Sequence, residues 1–163
     1  MLLIMGICTI AKDVDMSTEL CDCFVIRAAA RHMSQAYDQF LAPTGLRISQ
    51  FSILSKLERT GPLTITTLAE YMALDRTTLS RNILPLARKG LISVDRNASD
   101  GRAKEVHLTN VGAKRLATAR QAWCKAQARF ETAFGTEQAA DLRWLLRAVV
   151  ASQFTPAVRV TPR

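Results

Sequence analysis

The sequence predicts a mainly α-helical chain with one small β-hairpin, and two observations carry that expectation. Two short amphipathic helical stretches stand either side of a three-residue break, Ala73 to Asp75, and directly after them the period changes to two short β-forming runs around a turn. Both features fall between Thr64 and Gly112. The element order read along the whole chain is α-α-(β)-α-α-β-β-α-α, a helix-turn-helix followed by a wing.

Met1 to Ile10 is apolar, but it has no basic n-region and no small-residue cleavage site, and it is too short to span a bilayer. Met16 opens Met-Ser-Thr-Glu, so residues 1–16 are expected to be a disordered N-terminal extension and residues 17–163 a single domain. From Ser17 to about Leu41 the pattern is helical, with Leu20, Phe24, Met33, Tyr37 and Phe40 apolar, and Pro43 with Gly45 ends it. A second helix runs from Ser49 to about Arg59, buries Phe51, Leu54 and Leu57, and stops at Gly61-Pro62.

The next helix starts after Thr64 or Thr67, and Thr67 with Glu70 fits a capping box; Leu68, Tyr71 and Met72 give it an apolar face. Asp75 is a good N-cap for the following helix, whose buried stripe is Leu79, Ile83 and Leu86. Arg76, Thr77, Ser80, Arg81 and Leu84 share the opposite face, and all but Leu84 carry side chains that donate to bases or phosphates. Pro85 removes a backbone donor, so this helix is expected to kink or tighten in its last turn, and Gly90 is the expected left-handed residue that closes it.

Leu91 to Val94 and Val106 to Leu108 read as strands around DRNASDGRAKE. This loop carries Arg96, Asn97, Arg102 and Lys104, long or polar side chains of the kind a phosphate-walled minor groove attracts. Beyond it, Leu116, Ala119, Trp123, Phe130 and Phe134 mark a long helix broken at Gly135-Thr136, and a last helix carries Leu142, Leu145, Leu146, Val149 and Val150. These terminal helices hold more apolar surface than one small domain covers, which points to a symmetric homodimer.

The order LAEYMALDRTTLSRNILPLARKGLI followed by DRNASDGRAKEVHLTNVG resembles the multiple antibiotic resistance regulator (MarR) family of winged helix-turn-helix repressors, over roughly residues 20 to 150. The specific parts are Asp75-Arg76-Thr77-Thr78, Lys89-Gly90-Leu91-Ile92, Asp100-x-Arg102 and Leu108-Thr109-x-x-Gly112. The resemblance implies dimerisation helices at 17–45 and 109–155, a DNA-binding region at 46–108, and two winged units straddling a pseudo-palindromic operator in double-stranded DNA. Its DNA contacts would fall on Thr64, Thr66, Arg76, Thr77, Thr78, Ser80, Arg81, Arg96, Asn97, Arg102 and Lys104, with Asp100 shaping the wing and Arg102 entering the minor groove. The family more often has a second basic residue where Gly101 stands. A cytoplasmic, nucleoid-associated protein is the corresponding expectation.

Composition agrees. The chain has 163 residues, a formal charge of +8 and a pI near 9.9, which favour a polyanionic partner. Arg76, Arg81, Arg88, Lys89, Arg96, Arg102 and Lys104 outnumber Asp75, Asp95, Asp100 and Glu105 in the reading region.

Four cysteines stand at 8, 21, 23 and 124. Free thiols fit better than a disulfide framework, and three readings stay open: small buried hydrophobes, a redox switch, or a soft-metal site at Cys21-x-Cys23, which lacks a nearby His or third Cys. In the family's organic-hydroperoxide sensors the reactive cysteine opens the dimer helix as Cys23 does here, Tyr37 matches a tyrosine that hydrogen-bonds that thiol, and Cys124 resembles a resolving cysteine. Arg27 and Ile48 stand where those sensors carry further tyrosines, and Arg27 instead places a positive charge one helical turn from the thiol. His32 and His107 read as structural, and Trp123 and Trp144 as core or interface residues.

Glycine-rich phosphate loops, HExxH and GxSxG are all missing, so no catalytic residue, cofactor or metal is assigned and the chain is expected not to be an enzyme. Release from DNA would follow binding of a small aromatic or apolar anionic effector, or cysteine oxidation. The rival reading is a winged-helix protein-interaction module without DNA binding, which predicts acidic or apolar residues on the exposed face of the second short helix.

Overall fold

The computed structural model of the chain describes residues 21–96 and 103–152. The N-terminal extension with Cys8, and the wing-tip residues Asn97, Asp100, Gly101 and Arg102, lie outside the described residues. The chain divides into two compact units, one ending at Trp123 and one beginning at Cys124, and each is taken by itself.

The first unit runs α1 (Asp22–Leu41), a short 3-10 turn (Ala42–Thr44), α2 (Ile48–Thr60), β1 (Leu63–Thr64), α3 (Ile65–Tyr71), α4 (Arg76–Arg88), β2 (Ile92–Arg96), β3 (Lys104–Leu108) and the start of α5 (Asn110–Phe134). This is a winged helix-turn-helix, in the order the sequence indicates. The sheet is antiparallel in the order β1-β3-β2, with Leu63 opposite Val106 and Ile92 opposite Leu108.

One apolar core ties these elements together. Leu54 and Leu57 from α2, Leu68 from α3, Leu79 and Leu86 from α4, Val106 from β3 and Leu116 from α5 are all buried. Phe51 stacks on Trp123 at a centroid distance of 5.9 Å, which accounts for the half-buried tryptophan as core. Tyr71, expected in the α3 stripe, instead lies 58% exposed with the Lys56 ammonium 3.4 Å over its ring; Ala69 takes the buried place beside Leu68. A seven-residue helix turns only twice, so one neighbouring side chain decides which flank faces inward.

Polar atoms at the helix ends are matched locally. The Ile48 N–H donates to Asp38 Oδ1 at 2.6 Å and the Arg47 N–H to Gln50 Oε1 at 3.1 Å, which starts α2. Thr64, not Thr67, caps α3, its hydroxyl accepting from the Thr67 N–H at 3.1 Å. The expected Thr67–Glu70 box is displaced because β1 pairing places Thr64 at the helix entrance.

The turn between α3 and α4 closes with the Leu74 N–H on the Ala69 carbonyl and the Ala73 N–H on the Glu70 carbonyl, a Schellman pattern with Ala73 at φ 50°. A side chain in that left-handed region costs about 1 kcal/mol relative to glycine. Ala73→Gly is therefore expected to raise the melting temperature by about 2–4 °C in a thermal unfolding scan; a fall would show that the loop does not hold this conformation.

The helix α4 continues as α-helix through Pro85 to Arg88 and closes at Gly90 as expected: the Gly90 N–H reaches Ala87 O and the Leu91 N–H reaches Leu86 O, with Gly90 at φ 67°. Thr109 then fixes the root of the hairpin. Its hydroxyl donates to Gly90 O at 2.7 Å and accepts from the Gly112 N–H at 3.0 Å, while its own N–H donates to Leu91 O at 3.2 Å.

The second unit contains the remainder of α5 and α6 (Thr136–Ala151). Ala126 and Ala139 are buried, and Phe130 stacks on Phe134 at 5.2 Å. Gln127 and then Arg143 donate to Glu131 and hold its carboxyl below the usual carboxylate range. Leu145, Val149 and Val150 stay exposed along α6, as do Phe24, Val25 and Ile26 on α1. Among the described residues no helix is long and apolar enough to cross a membrane.

Candidate nucleic-acid interface

The helix α4 begins because Asp75 supplies the missing acceptors: its Oδ1 takes the Thr78 N–H at 2.9 Å and its Oδ2 the Thr78 hydroxyl at 2.6 Å. Those bonds, the Thr78 hydroxyl first, hold the Asp75 carboxyl below the usual carboxylate range. With a depressed pKa, the cap's contribution to helix stability is present above the unfolded-state value and is lost as pH falls through the folded one.

With Leu79, Ile83 and Leu86 turned inward, Arg76, Thr77, Ser80, Arg81, Leu84 and Arg88 are left exposed. The Arg76 guanidinium donates to Thr66 Oγ1 at 2.6 Å, which fixes the first arginine of α4 against the start of α3. The rotation of α4 about its axis is pinned from the other side: Ser49 on α2 donates to Asn82 Oδ1 at 2.8 Å, and Asn82 Nδ2 donates to Thr78 O at 2.9 Å. A donor-rich helix face held by polar contacts on both flanks meets a rigid groove with little ordering cost.

On the hairpin, Arg96 and Lys104 are exposed and directly opposite one another. Like charges paired across strands repel, and a polyanion placed between them removes that repulsion. Asn97, Asp100 and Arg102 belong to the part of the wing outside the described residues. Thr64 and Thr78, read from the sequence as contacts, have hydroxyls engaged in capping; Thr66 is exposed. The Ser49–Asn82 pair carried no sequence signal, since its partners stand 33 residues apart.

Cys21, Cys23 and Cys124 are exposed in the single chain, so none of the three belongs to the core of one protomer. Cys21 precedes α1 without a side-chain cap bond, and Cys23 lies in its first turn. Tyr37 is buried on the same helix, 14 residues and so about 21 Å along the axis from Cys23. No side chain bridges that span. Among the described residues no group of three His, Cys, Asp or Glu side chains gathers in a way that holds a metal ion. His107 pairs with Glu105 at 3.2 Å, and His32 is exposed.

Between α1, the Gly45 turn, the start of α2 and the inner flank of α4 lies an open cavity of about 930 Å³, whose lining includes Asp38, Arg47, Gln50, Arg81, Asn82 and Lys89. Lys89 donates across its mouth to Gly45 O at 2.9 Å.

Residues 46–104, the span from the start of α2 to the wing, match the MarR family model. The crystal structure of the M. tuberculosis transcriptional regulator MosR is 33% identical, with a TM-score of 0.71 over 83% of this chain and 100% of that one. The chain belongs to the MarR family. A second MosR structure, in complex with DNA, is 36% identical with a TM-score of 0.69, covering 80% of this MarR-family chain and 97% of that one. The organic hydroperoxide resistance transcriptional regulator of Bacillus subtilis (strain 168) is 30% identical over 91 residues, 56% of this chain and 62% of that protein. The match therefore spans less than two thirds of this curated relative. Membership accounts for the element order and for the phase of α4, whose polar side faces out.

Proposed function

We propose that this MarR-family chain is a sequence-specific transcriptional regulator, a repressor that binds a pseudo-palindromic operator in duplex DNA as a homodimer. The observation that carries this reading is the exposed face of α4, where Arg76, Thr77, Ser80, Arg81 and Arg88 stand clear of the core on a helix pinned on both flanks. A pure protein-interaction module predicts acidic or apolar residues on this face, whereas five of its six members, Arg76, Thr77, Ser80, Arg81 and Arg88, are polar or cationic and only Leu84 is apolar. The hairpin pair Arg96 and Lys104 supplies a second cationic prong.

Exposed apolar residues on α1 and on α6 support pairing with a second copy. Release from DNA is proposed to follow oxidation of Cys23. Its exposure supports this, as does the likeness to the B. subtilis regulator named for organic hydroperoxide resistance. Because about 21 Å of helix separates Cys23 from Tyr37 within one chain, a thiol–tyrosine contact of the kind the family resemblance implies forms only between copies. Cys124 and Cys21 are the candidate resolving thiols. A second reading, release by a small anion, is favoured by the cavity beside α4: its three cations suit a negative charge, and its amide-rich lining suits a polar body better than an apolar one.

The test is a mobility-shift assay with the DNA upstream of its own gene, run reduced and then with an organic hydroperoxide. The reduced protein is expected to retain that fragment against scrambled competitor and to release it on oxidation, and Cys23→Ser is expected to stay bound. Release that persists in Cys23→Ser removes the thiol switch; no preference over scrambled DNA removes the operator reading itself.

A further inference from the structure

Along the exposed side of α4, Thr77, Arg81, Leu84 and Arg88 follow one another at i, i+4, i+7 and i+11, a stripe about 16 Å long. Its third member is a leucine with half its surface in water, 50% exposed, between two arginines. The core does not use it: Leu79, Ile83 and Leu86 fill the buried side completely, and the helix would form as well with alanine at 84. The flanking guanidinium groups make this a poor seat for an apolar protein surface, because docking one there would strip water from both charges.

A major groove answers both demands. Its walls are phosphates that receive the arginines, and its floor carries one apolar group, the C5-methyl of thymine. Cytosine offers no methyl at that place and sets its N4 amino donor beside it, which a leucine side chain cannot accept. Resting on the DNA-binding reading above, we propose that Leu84 is a specificity-determining residue that reads the C5-methyl of a thymine in each operator half-site. Arg81 and Arg88 hold the helix at the depth that contact requires.

The experiment uses the full chain and an operator selected from random duplexes, with each thymine in turn replaced by deoxyuridine, which deletes only the methyl. One thymine per half-site is expected to lose roughly fourfold in affinity on replacement, and about fifteenfold when both half-sites are changed, the worth of one buried methyl group each. Leu84→Ala is expected to melt at the wild-type temperature or above, to bind the thymine operator as weakly as the wild type binds the deoxyuridine one, and to show no further loss on replacement. Leu84→Met, which keeps an apolar tip, restores the discrimination. The inference is overturned if deoxyuridine costs nothing at any position, if Leu84→Ala retains the same methyl preference, or if Leu84→Ala binds at wild-type affinity. Should no duplex be selected at all, the operator reading fails and this inference with it.

Discussion

Gly112→Ala is expected to lower stability by about 3 kcal/mol and the melting temperature by roughly 5–10 °C. A Cβ at this position would lie 2.0 Å from the Leu91 carbonyl oxygen and 2.8 Å from Leu108 Cδ1. Helix propensity alone argues the other way, since alanine inside a helix is better than glycine by about 1 kcal/mol. Sterics decide the sign, because the obstructing atom is backbone and that carbonyl already accepts from the Thr109 N–H. Moving it breaks the bond at the hairpin root and carries β2 with it, so Arg96 shifts as well. Operator affinity should therefore fall by more than the fraction unfolded explains. A variant that melts 2–4 °C higher than wild type would show that the first turn of α5 does not pack on Leu91.

Leu145→Glu combined with Val149→Glu is expected to leave the protomer folded and to prevent pairing. Both side chains are exposed in the single chain, 54% and 43%, one turn apart on α6. Substitution there costs the isolated chain little, whereas four carboxylates brought into one apolar interface across a two-fold axis repel and go unsolvated. Sedimentation velocity should report a monomer at micromolar concentration. A dimer that holds two half-sites gains 10²-fold or more over single engagement, so operator affinity should fall about a hundredfold while weak binding to any duplex persists. A dimeric double variant, or a monomer with undiminished operator affinity, would refute pairing through this face.

The contrast between these two positions shows what was legible from residues alone. The apolar run on α6 is visible in the sequence as hydrophobicity without enough partners. Gly112 is not, because a glycine in a helical pattern looks like a weakness until the carbonyl lying against it is located.

The helix α4 divides in the same way. Its start at Asp75, its buried stripe and its Gly90 close are set by neighbours within five residues, so the sequence carries them almost fully. The choice of Thr64 over Thr67 as the α3 cap, the outward turn of Tyr71, the Thr66–Arg76 contact and the Ser49–Asn82 pin were decided elsewhere. Each depends on a partner ten or more residues away or on a strand pairing that sets where the helix begins. Local hydrogen bonding and periodicity determined the kind, order and approximate bounds of the elements. Only packing in three dimensions decided which of several chemically equivalent side chains faces the core, which caps, and which remains free to meet DNA, since those choices turn on differences of about 1 kcal/mol between neighbouring arrangements.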